Sequence, residues 1–326
     1  MAPPKDFIQR HLADTLESVD FLLDVERLQK GKVRDIFTKN GQRIMVATDR
    51  QSAFDRILAA VPFKGQVLNR ISQFWFEQTQ DICPNHFVAM PDPNVTIAKN
   101  AKVFPIEVVV RGFLTGSTDT AVWTHYRDGV RDFCGVRLPD GMKKNDAFPK
   151  PIITPTTKDK DHDKPICKDE IIAQGRATAQ QWDEICDKAL RIFKRGQEIC
   201  AENGLILVDT KFEFGLDENG KIMLVDEVLT PDSSRFWLQE TFDERIASGQ
   251  EPDNFDKEFL RLWFVEHCDP YRDKVLPKAP EDLIVELSSR YIWAFEKITG
   301  QSFHPTLGDP TLLARIEKNL QRFFEK

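Results

Sequence analysis

The sequence predicts an α+β fold from three observations. Asn40-Gly41 and Asn219-Gly220 are strong hairpin turn signals, one in each half, each between stretches of strand character. Residues 66–80 and 177–202 space their apolar side chains at helical intervals. Beyond Trp237 the chain turns mainly helical. At 326 residues, 41% hydrophobic and 30% charged, the composition is that of a soluble globular protein with two domains or one large one. The 24 Phe against 3 Tyr put much of the aromatic content inside. A net charge of -7 argues against a general nucleic-acid binder, although local fields can still hold anionic substrates. No run approaches the length of a membrane span, and MAPPKDFIQR lacks the apolar core of a signal peptide. Six scattered cysteines without a CxxC pair indicate neither zinc nor a disulfide framework, and a reducing cytoplasm fits best.

Taken in order, residues 6–20 read as a short helix and Val25 to Thr38 as strand, with QKGKVRDIF inside it. A hairpin around Gly31-Lys32 can lie over phosphates, or it can be a surface strand with alternating charge; no Walker A motif is present. Arg43 to Thr48 is the return strand after Asn40-Gly41. DRQSAFD (49–55) has the composition of a site loop, and equally of a solvated turn. Val67, Leu68, Ile71, Phe74 and Trp75 form a core stripe on the next helix. Val103 to Val110 is a buried strand that runs into RGFLTGS (111–117). Ser117 suits the N-cap of a helix over 118–126, and with Arg111 and two glycines makes an anion site. Residues 128–170 show little regular pattern and contain TPTTK (154–158) and Asp161-His162-Asp163; His162 reads as an exposed loop histidine. The helix at 177–202 buries Trp182, Ile185, Ala189, Ile192, Phe193 and Ile199, with Cys186 and Cys200 as inert thiols near that face. Three more helices are expected near 255–267, 281–298 and 310–325, the last opened by Asp309 as N-cap and Pro310.

Leu205 to Trp237 is the densest stretch. An apolar run, Leu205 to Val208, leads into Asp209, Lys211 and Glu213, which share one face of a strand. Asn219-Gly220 turns the chain into a return strand, Lys221 to Leu229, that carries Asp226 and Glu227. Asp226 joins Glu213 if odd positions of the first strand oppose even positions of the second; a one-residue slip sends it to the other face. Two carboxylates around a lysine suit magnesium and phosphate chemistry, while a solvated charged face is the plainer alternative.

GKVRDIF (31–37), DRQSAFD (49–55), EVVVRGFLTGS (107–117), TPTTK (154–158), LVDTKFEFG (207–215) and VDEVLTPDSSRFW (225–237) together resemble the SAICAR synthetase family of purine biosynthesis. The resemblance runs from about Leu22 to about Leu238, and RLPDGMKKN (137–145) is similar to its longer fungal and bacterial members. It implies an α+β fold with a β-rich N-terminal lobe over a larger lobe, divided as 1–110 and 111–326, with ATP in the cleft. It implies an ATP-dependent carbon–nitrogen ligase joining the carboxylate of the ribonucleotide CAIR to the amine of L-aspartate, giving SAICAR, ADP and phosphate. By position, Gly31 and Lys32 would touch the ATP phosphates, and the strand Val103 to Val109 would line the adenine, with Glu107 as a hydrogen-bonding partner. Glu213 and Asp226 would hold Mg2+, with Asp209 beside them. Lys211 would neutralise charge on the carboxylate and the incoming phosphoryl group. Arg111, Ser117, Asp232 and Arg235 match positions that hold the imidazole nucleotide, and Lys158 and Asp163 belong to a loop that helps close the site. Two departures stand out: Gln51 in DRQSAFD, and Asp161-His162-Asp163-Lys164 where GHDE is usual.

A carboxylate becomes an acyl donor once ATP phosphorylates it, and the amine then attacks the acyl phosphate. Such catalysis rests on positioning and electrostatics, and no side chain stands out as a general base. Another ATP-dependent enzyme on the same scaffold, such as a small-molecule kinase, is the competing reading; a non-catalytic nucleotide-binding module is a third. Neither nucleic acid nor membrane is expected as a partner, and a monomer is compatible with the sequence.

Overall fold

Asn40 and Gly41 take left-handed backbone angles (φ 51° and 74°), which a two-residue hairpin turn requires. The computed structural model describes residues 3–117, 120–159, 163–254 and 258–325. In chain order these hold α1 (Lys5–Arg10), β1 (Glu26–Lys30), β2 (Arg34–Lys39), β3 (Gln42–Ala47), β4 (Arg50–Ala53), β5 (Arg56–Ala60), α2 (Lys64–Thr79), β6 (Phe87–Asp92) and β7 (Val95–Ala98). There follow β8 (Lys102–Val103), β9 (Ile106–Phe113), α3 (Val122–Arg127), β10 (Asp132–Phe133), β11 (Val136–Arg137), β12 (Ala147–Ile153), β13 (Thr156–Thr157), α4 (Lys168–Ala173) and α5 (Ala179–Glu202). The chain continues through β14 (Leu205–Leu216), β15 (Ile222–Val225), β16 (Ser234–Leu238), α6 (Gln239–Ala247), α7 (Glu258–His267), α8 (Glu281–Thr299) and α9 (Leu312–Phe324). Antiparallel sheets with helices in separate stretches make this the expected α+β fold.

Two compact units divide the chain. The first comprises the described residues of 1–74, 87–100 and 255–326. Its sheet runs β1-β2-β3-β7-β6, all antiparallel. Phe37, Ile44, Val46, Val95 and Ile97 on that sheet pack with Leu312, Ile316 and Leu320 of α9. α9 therefore packs on the N-terminal sheet, and the described residues of 255–326 fall in the first unit, where the sequence grouped them with 111–326. The DRQSAFD segment is part strand and part turn: Arg50–Ala53 form β4, and Phe54 and the exposed Asp55 turn the chain into β5. Asp49 is buried and accepts from the backbone N–H groups of Leu16 and Gly65, both at 2.8 Å. Arg50 is buried against Asp35 at 2.6 Å. Gln51, also buried, accepts from the Tyr291 hydroxyl at 2.9 Å.

The second unit comprises the described residues of 75–86 and 101–254. Its sheet runs β12-β9-β14-β15, with β13 paired to β9 and both β8 and β16 paired to β14. The buried face of α5 packs on β14, and Thr178 caps α5 through a reciprocal box with Gln181.

Several boundaries differ from the sequence expectation, each for a local reason. The helix at 6–20 shortens to α1. The strand expected over 103–110 is two pieces, β8 and β9, because Pro105 lacks the N–H a ladder needs. Seven residues of the irregular stretch form β12 despite Pro149 and Pro151, since β12 is an edge strand with a shifted register. Ser117 is not an N-cap: α3 starts at Val122 after Ala121, and Gly116 at φ 106° turns the chain before it. The last helix starts after Thr311, whose hydroxyl accepts from the Ala314 N–H at 3.1 Å, so Asp309 and Pro310 lie outside it. β16 and α6 were not anticipated in the stretch after Pro231.

Candidate functional site

β9 and β14 are neighbouring strands in the sheet of the second unit, with Asp209 opposite Arg111 and Lys211 opposite Val109. Residues directly opposite share a face, so Glu107 and Arg111 stand on the face of Asp209, Lys211 and Glu213. β16 runs along the other side of β14 and sets Arg235 opposite Asp209. The alternation in β14 supplies the rest of the design: Phe212 and Phe214 point to the opposite face and are fully buried. The result is a charged platform across three strands.

At one end of the platform are two arginines. Arg235 Nη1 lies 2.8 Å from Asp209 Oδ2, and Arg111 Nη1 lies 3.7 Å from the same oxygen. Arg111 also donates to Thr154 Oγ1 at 2.8 Å and to the Thr120 carbonyl at 3.2 Å. Burial pulls the Arg111 pKa below its ordinary value, with Asp209 acting against that. Asp209 thus sits with the arginines, whereas the sequence expectation set it beside the metal carboxylates.

At the other end, Lys211 Nζ donates to Glu107 Oε1 at 2.5 Å, and the Thr156 hydroxyl donates to Glu107 Oε2 at 3.1 Å. Burial acts to lower the Lys211 pKa, but Glu107, helped by Glu213 and Glu227, drives it above the ordinary lysine value. Lys158 donates to Glu213 Oε2. The Glu213 carboxyl is pushed up by burial and then by Asp226, with Lys158 and Lys211 opposing. The expected register for this pair is wrong: Glu213 opposes Val225, so odd positions face odd, and strict alternation would turn Asp226 away. Asp226 instead lies one residue beyond β15 in a left-handed conformation, φ 65°, which ends the alternation. Its charge reaches Glu213 by that break in the strand. Asp163 is exposed, yet partial burial and Glu107 raise its pKa while Lys211 and Lys158 lower it, so it faces the same charges.

Among the described residues no group of three or more His, Cys, Asp or Glu is gathered to hold a metal. Glu213 and Asp226 are a pair of mutually repelling carboxylates, one buried and one half-buried. That donor set fits magnesium, which takes one or two carboxylates and fills its shell with water and phosphate oxygens.

The other expected residues are placed as follows. Asp232 is half-buried in the turn before β16, its N–H donating to Thr230 Oγ1 at 3.2 Å. Ser117 is exposed on the loop after β9, and Val103 is 38% exposed on β8. Asp161 and His162 lie outside the described residues. In the first unit, Gly31 and Lys32 form the turn between β1 and β2. The Arg34 carbonyl occupies the position a Cβ on residue 31 would need. Arg50 braces this turn, donating to the Gly31 carbonyl at 2.9 Å and the Lys32 carbonyl at 3.0 Å. Lys32 Nζ lies 2.5 Å from Asp55 Oδ1, both side chains being solvent-exposed. Sequence reasoning missed Thr154, Thr156 and Glu227 as parts of the platform. Their signal was present in TPTTK and in the acidic pair Asp226-Glu227, but only the strand pairing brings them to Arg111, Glu107 and Lys211.

The family model described as SAICAR synthetase matches residues 27–278. A phosphoribosylaminoimidazole-succinocarboxamide synthase of Legionella pneumophila (strain Paris) is 58% identical over 294 residues, covering 90% of this chain and 94% of that protein. The chloroplastic synthase of Arabidopsis thaliana is 51% identical over 315 residues, covering 96% of this chain and 77% of that protein. Among solved structures, a SAICAR synthase from Saccharomyces cerevisiae complexed with SAICAR superposes with a TM-score of 0.75 at 32% identity, covering 89% of this chain and all (100%) of that one. With most of its length matched by the model, and relatives identical at more than half of the aligned positions, the chain belongs to the SAICAR synthetase family.

Proposed function

We propose that this chain catalyses the ATP-dependent ligation of the CAIR carboxylate to the amine of L-aspartate, through an acyl phosphate, yielding SAICAR, ADP and phosphate in purine biosynthesis. The observation that carries this reading is the platform of β9, β14 and β16, which lines up Arg111 and Arg235 at one end with Lys211, Glu213 and Asp226 at the other. Every reactant is an anion, and a row of fixed cations on a sheet surface is what positioning them needs. Arg235 and Arg111, held by Asp209, take the nucleotide with Ser117 and Asp232. Lys211, kept charged by Glu107, stands where charge shifts between the carboxylate and the phosphoryl group. Gly31 and Lys32 supply backbone and ammonium contacts to the ATP phosphates, and Val103 and Glu107 border the base.

Glu213 and Asp226 would hold Mg2+, which supplies charge neutralisation between ATP phosphate oxygens. Lys158, now on Glu213, and Asp163 close the site from their loop. A cytoplasmic monomer suits the reading. Six free cysteines support a reducing compartment, and no helix among the described residues is long and apolar enough to cross a membrane.

Phosphate release from ATP tests the proposal. Full turnover should require CAIR and aspartate together, with SAICAR formed in step with phosphate. Release that continues without either substrate would point to a different phosphoryl acceptor and contradict the reading.

A further inference from the structure

The loop after β9 is held from a direction the ligase reading does not use. Thr115 is buried, and its hydroxyl donates to Asn145 Oδ1 at 2.6 Å. The backbone of the same segment is paired on both sides of that contact. The Asn145 N–H donates to the Leu114 carbonyl at 2.7 Å, and the Leu114 N–H donates to the Asp146 carbonyl at 2.8 Å. Asn145 is itself buried and sits at φ 69°, a conformation asparagine accepts more readily than most residues. Its Nδ2 donates to Glu251 Oε2 at 3.1 Å, while Lys144 Nζ lies 2.5 Å from the other Glu251 oxygen. A carboxylate only accepts, so Glu251 fixes which way the amide points and presents Oδ1 to Thr115.

Beyond Thr115 the loop meets the arginines. Gly116 has φ 106°, and a Cβ there would lie 2.6 Å from the Ala121 side chain and 3.8 Å from Arg235 Nη1. Arg111 holds the far end of the loop through the Thr120 carbonyl at 3.2 Å. Thr115 is thus pinned by Asn145 and Thr120 by Arg111, with Arg235 beside Gly116, next to Ser117. Glu251 also feels the positive charge of Arg235.

We propose that Asn145, oriented by Glu251, is a positioning residue that holds the 114–117 loop against Arg235 in the geometry that takes the anionic nucleotide substrate. The assignment rests on the ligase reading for the identity of that nucleotide. Two replacements of similar size would not do the same work. Aspartate would keep an acceptor for Thr115 but set a second carboxylate against Glu251. Leucine would leave the buried Thr115 hydroxyl without its partner.

The test uses the full chain and two independent variants. Asn145→Gly tolerates the left-handed backbone and removes the amide. Glu251→Ala removes the orienting carboxylate from an exposed position and leaves Asn145 in place. CAIR binding is followed by calorimetry without ATP, and steady-state kinetics are followed for all three substrates. The expected result is a Kd and KM for CAIR about tenfold higher in Asn145→Gly and about threefold higher in Glu251→Ala, on the scale of losing one and part of one oriented hydrogen bond. The KM for ATP should stay within about twofold of wild type, since the bracket touches only the nucleotide loop. Glu251→Gln, which retains one acceptor, should recover part of the loss. Unchanged CAIR affinity in both folded variants overturns the proposal, as does a parallel rise in the KM of every substrate together with a lowered Tm. Wild-type protein that binds CAIR but does not ligate it overturns the ligase reading alone. Wild-type protein that does not bind CAIR overturns both.

Discussion

Lys211 separates a structural platform from a catalytic one. Its ammonium is held by Glu107 and surrounded by further acids, so it stays charged across the neutral range. If it only balances those acids, its removal lowers stability and little else. If it meets the reacting carboxylate and phosphoryl oxygens, Lys211→Met should fold, bind ATP nearly as wild type, and lose ~10²–10³ in turnover. Turnover of folded Lys211→Met equal to wild type would remove Lys211 from the chemistry. The period-two charges of 209–213 made Lys211 visible in the sequence. Its partner Glu107 was legible only through the resemblance, because a pairing across 104 residues leaves no local trace. Asp49 offers a second test at this scale. Burial pushes its carboxyl from 3.8 up to about 6, opposed by the Leu16 and Gly65 N–H groups and by Lys64 and Arg315. The folded state therefore holds this proton more tightly than the unfolded chain. Its contribution to stability is full below 3.8 and is lost as pH rises toward about 6. Asp49→Asn should flatten that part of the stability–pH curve measured by urea unfolding; an unchanged slope would contradict the assignment.

At the scale of elements, polar anchors decide what periodicity cannot. The stripe Leu312, Ile316 and Leu320 announced an amphipathic α9, but not where it docks. Arg315 supplies the address: it is buried and grips Asp92 through two bonds of 2.9 and 3.0 Å and Asn94 at 2.6 Å, at the end of β6. Arg315→Ala leaves Asp92 as a buried charge short of its partner. It should cost about 3–5 kcal/mol in denaturant unfolding. A loss under about 1 kcal/mol would show that the contact is incidental. The same limit explains the strands that were missed. β12 contains two prolines and β16 follows a turn-rich run, so both look like loop until their partners β9 and β14 are known. The hairpin of β14 and β15 was legible from Asn219-Gly220. Its register was not, and neither was the left-handed Asp226 that brings the second carboxylate round.

Across the whole molecule, the motifs fall into two kinds that the sequence presents alike. DRQSAFD turns out to be scaffold: Asp49 ties Leu16 to the start of α2, and Arg50 braces the turn at Gly31-Lys32. LVDTKFEFG, RGFLTGS and the Arg235 strand instead gather their charges on one face of the sheet of the second unit. Both kinds are dense in charge and both are largely buried, so only their partners tell them apart. In acyl-phosphate ligation on this face, an oxygen of the substrate carboxylate leaves with the phosphoryl group. CAIR carrying 18O in its carboxylate, turned over with ATP and aspartate, tests it most directly by mass spectrometry of the inorganic phosphate. One labelled oxygen should appear in phosphate for each SAICAR formed. Unlabelled phosphate accompanying SAICAR would contradict it.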